Sequence, residues 1–216
     1  MDRYLIRLRT DNSISYDYND IVTILVGPMA TQFSIHKDFL VAKSKFFEAA
    51  CSPRWSTNDG TIRLPDTEPE VFRVYLEWIY SDHVKFIRDV EDDVDTPSRE
   101  QALFCELYLL ADILDDVRLR NKVMEILVKQ TRGMPDLSTL KRVYQSTPSN
   151  SPFREMLVDR AVLQLGGDEF ARTISDYPPE FVQELAMLLM FSKCHTAKDK
   201  LIAKLPDYQE TVPNDA

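Results

Sequence analysis

Asp20-Ile21-Val22-Thr23-Ile24-Leu25-Val26-Gly27-Pro28, followed by Gln32-Phe33-Ser34-Ile35-His36-Lys37, is the stretch whose reading decides the fold. The first run is rich in β-branched residues and predicts a strand. The second alternates, with Phe33 and Ile35 on one side and Gln32 and Ser34 on the other, as a half-buried strand does. Gly27-Pro28 supplies turn chemistry between them, so the pair predicts a β-hairpin. From Asp38 the apolar spacing changes from two to three and four. Phe39, Leu40, Phe46, Phe47 and Ala50 then fall on two short helices separated near Ser44.

Residues 52–60 are polar, with Pro53 and Gly60, and predict a loop in which Trp55 is the one large apolar side chain. A strand over 61–64 and a helix over 69–80 follow. Thr67 and Glu70 have the spacing of a capping box, and Val71, Val74, Tyr75, Trp78 and Ile79 repeat at helical spacing toward a core. Residues 4–9 are left unassigned. Residues 82–97 form a link in which 84–86 have strand character and 91–95 are acidic. That acidic run lacks the glycine and the twelfth-position glutamate of a calcium loop, so it is read as a solvated loop.

Ser98 and Gln101 form a second capping box, opening a helix with Leu103, Leu107, Leu110 and Leu114 in one stripe and Phe104, Tyr108 and Ala111 in the next. A stripe this broad belongs to a well-buried helix. Beyond Asp115-Asp116, a pair read as stabilising a helix N-terminus through its dipole, the pattern is helical throughout: 117–131, 136–145, 152–165 ended by Gly166-Gly167, 169–175 and 179–191. The charged tail to residue 216 is expected to fray. The pattern thus divides the chain into an α/β lobe and an all-helical lobe, with no fixed-period repeat and no low-complexity linker.

Composition narrows the function. The chain has 216 residues and a formal charge of −9, which opposes a general affinity for nucleic acid, since such binding depends on neutralising phosphates. No stretch is long and apolar enough to span a bilayer; the best, 181–191, is short and contains Gln183 and Glu184. The start Met1-Asp2-Arg3-Tyr4 lacks the pattern of a signal peptide. Three widely spaced cysteines, Cys51, Cys105 and Cys194, fit reduced thiols, with Cys51 and Cys105 expected in the core. An intracellular protein, cytoplasmic or nuclear, is therefore expected.

Catalytic and cofactor motifs are not evident. Five glycines, none arranged as a phosphate-binding loop, give poor support to nucleotide chemistry, and no cofactor is expected. Cys194-His195 is the one adjacent pair of metal-ligating types, and neighbours on a helix point about 100° apart. There is no nucleophile elbow, and His36, between a strand and a helix, reads as structural. An enzyme whose site is assembled from scattered residues stays open as an alternative.

Taken in order, Asp20-Ile21-Val22, Phe33-Ser34-Ile35-His36-Lys37, Leu40, Ser44-Lys45-Phe46-Phe47, Ile62-Arg63-Leu64-Pro65-Asp66, Pro69-Glu70-Val71-Phe72, Leu76-Glu77-Trp78-Ile79-Tyr80 and Leu107-Tyr108-Leu109-Leu110-Ala111-Asp112 closely resemble a BTB/POZ domain. The following helices resemble the extension of many fungal BTB proteins. The resemblance implies an α+β fold: an arm over 1–17, a BTB/POZ domain over 18–119 with a small mixed sheet flanked by helices, a helical extension over 120–195 and a tail over 196–216. It implies a non-catalytic protein-interaction domain for homo- or hetero-oligomerisation, in some members an adaptor docking a cullin-type ubiquitin-ligase scaffold, or a transcription-related scaffold without one. Asp20 and Lys37 match polar positions that form a charged pocket near the dimer interface of dimeric members, and their opposite charges are suited to pair. Phe47, Pro53, Arg54 and Trp55 are the candidate partner-binding residues, with Trp55 at the cullin contact. Two departures stand out: dimerising members carry a longer N-terminal helix before the first strand, and Trp55-Ser56-Thr57 keeps the hydrophobic residue but not the glutamate of the cullin-binding loop.

Overall fold

The computed structural model describes residues 19–52, 61–85, 96–129, 133–191 and 203–210. Strand β1 (Ile21–Val26) pairs antiparallel with β2 (Thr31–His36), in a register running from Ile21 opposite His36 to Val26 opposite Thr31. The turn between them closes by a hydrogen bond from the Ala30 amide to the Gly27 carbonyl, 3.0 Å. Gly27 has φ +76°, a region where glycine has no steric penalty. Strand β3 (Thr61–Leu64) lies parallel to β1 on its other side, so the sheet order is β2-β1-β3.

Between β2 and β3 the chain makes α1 (Lys37–Val41) and α2 (Lys45–Ala50). The break at Ser44 has a clear cause. Its hydroxyl accepts from the Phe47 amide at 3.2 Å, capping α2, and donates to the Leu114 carbonyl. A small polar residue thus ends one helix, starts the next and ties both to the chain at Leu114, 70 residues on.

Helix α3 (Pro69–Ser81) buries Val71, Phe72, Val74, Tyr75, Trp78 and Ile79. Its N-cap is Glu68, without a side-chain cap bond, and Pro69 opens the first turn. The capping box expected of Thr67 and Glu70 is therefore not formed. Glu70 instead meets Arg99, at 3.2 Å, while the fixed φ of Pro69 preorganises the first turn. Helix α4 (Thr96–Ile113) starts two residues before the expected Ser98, which consequently lies inside it, and Gln101 is buried. Both expected stripes are largely buried, and Cys105 and Leu109 join them. Residues 83–85 are not in a strand.

Helices α5 (Val117–Lys129), α6 (Leu137–Ser146), α7 (Pro152–Gln164), α8 (Gly167–Thr173) and α9 (Pro179–Phe191) form the second lobe. Asp136 caps α6, accepting from the amides of Ser138 and Thr139, and Ser151 caps α7. Gly167 belongs to α8, with Gly166 as its N-cap; α8 starts earlier than expected, and a 3₁₀ turn, Ile174–Asp176, follows it.

The two lobes share one continuous core. Tyr108 of α4 stacks on Phe153 of α7 with ring centroids 4.1 Å apart and planes at 18°. The tail is not all frayed, because the short helix Leu205–Tyr208 packs against α5 and α7 and Tyr208 is buried.

Candidate interaction surfaces

The first surface lies at the end of the sheet where β1 begins and β2 passes into α1. The Lys37 amide donates to the Asp20 carbonyl at 2.9 Å, and the Lys37 ammonium meets the Asp20 carboxylate at 3.0 Å. Backbone and side chain thus hold the same two residues. The hydrogen bond and the charge of Asp20 raise the pKa of Lys37. Both side chains are at least one-third exposed, and such pairs contribute about 0–1 kcal/mol to folding. The pair therefore stabilises the fold little and leaves its charges accessible.

Beside it, Ile21 is paired with His36 across the ladder, so the two side chains share one face. The His36 amide donates to the Tyr80 hydroxyl at 3.2 Å, and His36 Nδ1 lies 2.9 Å from the same oxygen. Phe39 packs on Tyr80 with centroids 5.0 Å apart. Ile21 is 56% exposed and Tyr80 45%. Strand register, the start of α1 and the end of α3 thereby bring one charged pair and an exposed aliphatic–aromatic group to one end of the sheet.

The other expected partner-binding residues are placed differently. Phe47 is fully buried, stacked on Tyr75 and edge-on to Phe46. It is a core residue, a correction to its reading as a partner contact: the capped α2 turns it inward, where no partner reaches it. Pro53, Arg54 and Trp55 lie outside the described residues. Of the cysteines, Cys105 is buried and Cys51 is only half-buried, near Lys37 and Asp20.

A family model for the BTB/POZ domain matches residues 15–130. The chain belongs to the BTB/POZ family. BTB/POZ domains are protein-interaction domains, and the small three-stranded sheet with helices, continued by an all-helical lobe, is the corresponding fold. The chain is also similar to BTB/POZ and MATH domain-containing protein 5 of Arabidopsis thaliana, with 27% identity over 113 residues. That match covers 49% of this chain and 26% of the relative. No helix among the described residues is long and apolar enough to cross a membrane.

Two groups in this BTB/POZ chain escaped sequence reasoning. Asp116, read as half of a dipole-stabilising pair, is fully buried; its carboxylate accepts from the Leu119 amide at 2.8 Å and from the Trp78 indole N–H at 2.9 Å. Burial raises its pKa, against the opposing effect of those two donors. The Lys43 ammonium lies 4.6 Å over the Trp78 ring and donates to the Trp78 carbonyl at 3.0 Å. An acid directly before a helix was the available signal for the cap, but the indole partner 38 residues away was not legible.

The second group is a strap. Glu210 receives both Nε and Nη2 of Arg120, at 2.6 and 2.5 Å, and the Asn121 side chain brackets the Glu210 backbone at 2.8 Å on each side. Asp112 also meets Arg120, at 3.2 Å. Tyr208 donates to Asp159 of α7. The segment 205–210 thus joins α5 to α7.

Proposed function

We propose that this BTB/POZ chain is a non-catalytic adaptor that self-associates through the sheet end carrying Asp20, Lys37, Ile21 and Tyr80. The observation that supports this reading is the Asp20–Lys37 pair beside exposed apolar side chains. Two copies meeting there bury Ile21 and Tyr80, and the opposite charges fix orientation by complementarity. The pair contributes little to the fold, so its use lies in recognition.

Light scattering coupled to size-exclusion chromatography tests this. A concentration-dependent dimer is expected. Asp20→Lys and Lys37→Asp should each weaken it, and the double exchange should restore it. A monomer at every concentration would remove the self-association reading.

The same reading assigns a cullin-type scaffold to the segment with Pro53, Arg54 and Trp55, a role supported by family membership. Pull-down with a cullin N-terminal region, comparing the wild-type chain with Trp55→Ala, is the test. Capture by the wild type and loss in the variant are expected, and no capture by the wild type sinks the cullin role while leaving self-association standing.

A further inference from the structure

Between α7 and α9 lies a cleft of about 510 Å³, within the range of about 300–1,000 Å³ found for ligand sites. Its apolar lining is Val158, Met187 and Leu188, and its charged lining is Glu155, Asp159, Glu184 and Lys204. All of these residues lie beyond the segment 15–130 matched by the family model.

The charges do not balance. Lys204 is shared between Glu155, at 3.3 Å, and Asp159, at 2.9 Å. Glu184 accepts from the Tyr144 hydroxyl and lies 3.8 Å from Arg154 outside the lining. Three carboxylates therefore face the cleft against one ammonium, on a chain of net charge −9. Such a cleft with low-dielectric walls attracts cations.

The apolar part is exposed in a way a finished core is not. Met187, which lines the cleft, is 52% exposed, and Leu189, at 54%, and Met190, at 83%, are exposed on α9 outside the lining. Methionine is flexible and polarisable, and suits surfaces that accept varied side chains. An exposed apolar strip rimmed by polar groups marks an interaction site.

We propose that this cleft binds a short peptide segment of a partner protein in which an apolar anchor stands beside lysine or arginine. The anchor packs on Val158, Met187 and Leu188, and the cation meets Glu155 and Glu184. This proposal is independent of the self-association face and of the cullin role.

Fluorescence anisotropy with the full chain tests it, using three labelled probe peptides. The first has a leucine-phenylalanine pair flanked by arginines, the second the same pair flanked by glutamates, and the third a serine-serine pair flanked by arginines. Binding of the first alone is expected, weakened about tenfold by Met187→Glu and by Glu155→Lys, the effect typical of losing an interface anchor or a charge partner. Both side chains are about half exposed, so unchanged circular dichroism should accompany the loss. Three results would each overturn the proposal: equal binding of the serine peptide, which is mere attraction to an acidic surface; binding untouched by either substitution; or no binding of any probe. The dimer fraction measured by light scattering should stay the same in both variants, which separates this site from the self-association face.

Discussion

The indole N–H of Trp78 donates to the Asp116 carboxylate at 2.9 Å inside the core, where Asp116 also caps α5 through the Leu119 amide. One buried acid thus fastens the end of α3 to the start of the helical lobe. Asp116→Ala leaves two buried donors unsatisfied, and the expected loss is about 3 kcal/mol. Trp78→Phe should cost about 2 kcal/mol. Denaturant unfolding of both single variants and the double one should show coupling, because the residues share a bond; additive losses would show that the bond contributes nothing.

Alkali should destabilise the protein before it affects an average surface. Burial pushes the Cys105 thiol from 9.0 up to about 12, and raises the phenols of Tyr75, Tyr108, Tyr144 and Tyr208. The unfolded chain releases each of these protons first, so the folded state holds more protons. Stability therefore falls as pH rises, from about pH 9 for the thiol until about pH 12. Melting temperature measured across this range should drop steadily. Iodoacetamide should spare Cys105 in the native protein and label it after unfolding; rapid native labelling would contradict its burial.

Glu210→Ala should loosen the strap. Arg120 then keeps Asp112 and Asp115 but loses its two-pronged partner. Because Glu210 is itself about one-third exposed, the expected cost is only about 1–2 kcal/mol, below that of a fully buried pair. Hydrogen exchange should quicken in 205–210 and at the α5 contact, and unchanged exchange there would refute the strap.

Gly27→Ala should cost about 1–2 kcal/mol. The position needs φ +76°, and a Cβ there meets Pro69 and the Thr67 carbonyl at 3.3 Å. Thermal unfolding should register the loss, and an unshifted melting temperature would show that the turn relaxes without strain.

The hairpin, the break at Ser44 and the buried face of α3 were legible because each rests on local periodicity or turn chemistry. Phe47 shows where that stops. The family resemblance makes it a candidate partner contact, yet helical phase and the Ser44 cap turn it inward, which a residue type does not reveal. Thr67 and Glu70 had the right spacing for a cap, but Pro69 already ordered the first turn and Arg99 drew Glu70 away. Asp20 and Lys37 were legible as opposite charges flanking one hairpin. Trp78–Asp116, Arg120–Glu210 and the cleft beneath α9 depend on tertiary placement across tens of residues, and no sequence period encodes them.

The strap has a consequence for synthesis. Glu210 follows Arg120 by 90 residues, and at translation rates of about 5–20 residues per second it is made roughly 5–18 s later. Until Glu210 is in place, α5 and α7 lack the tie that the strap supplies. The strap thus closes later than the sheet: a chain without 205–210 can still form the sheet while the two helices the strap would join stay unfastened, a state that proteases sensitive to local opening would distinguish from the strapped one.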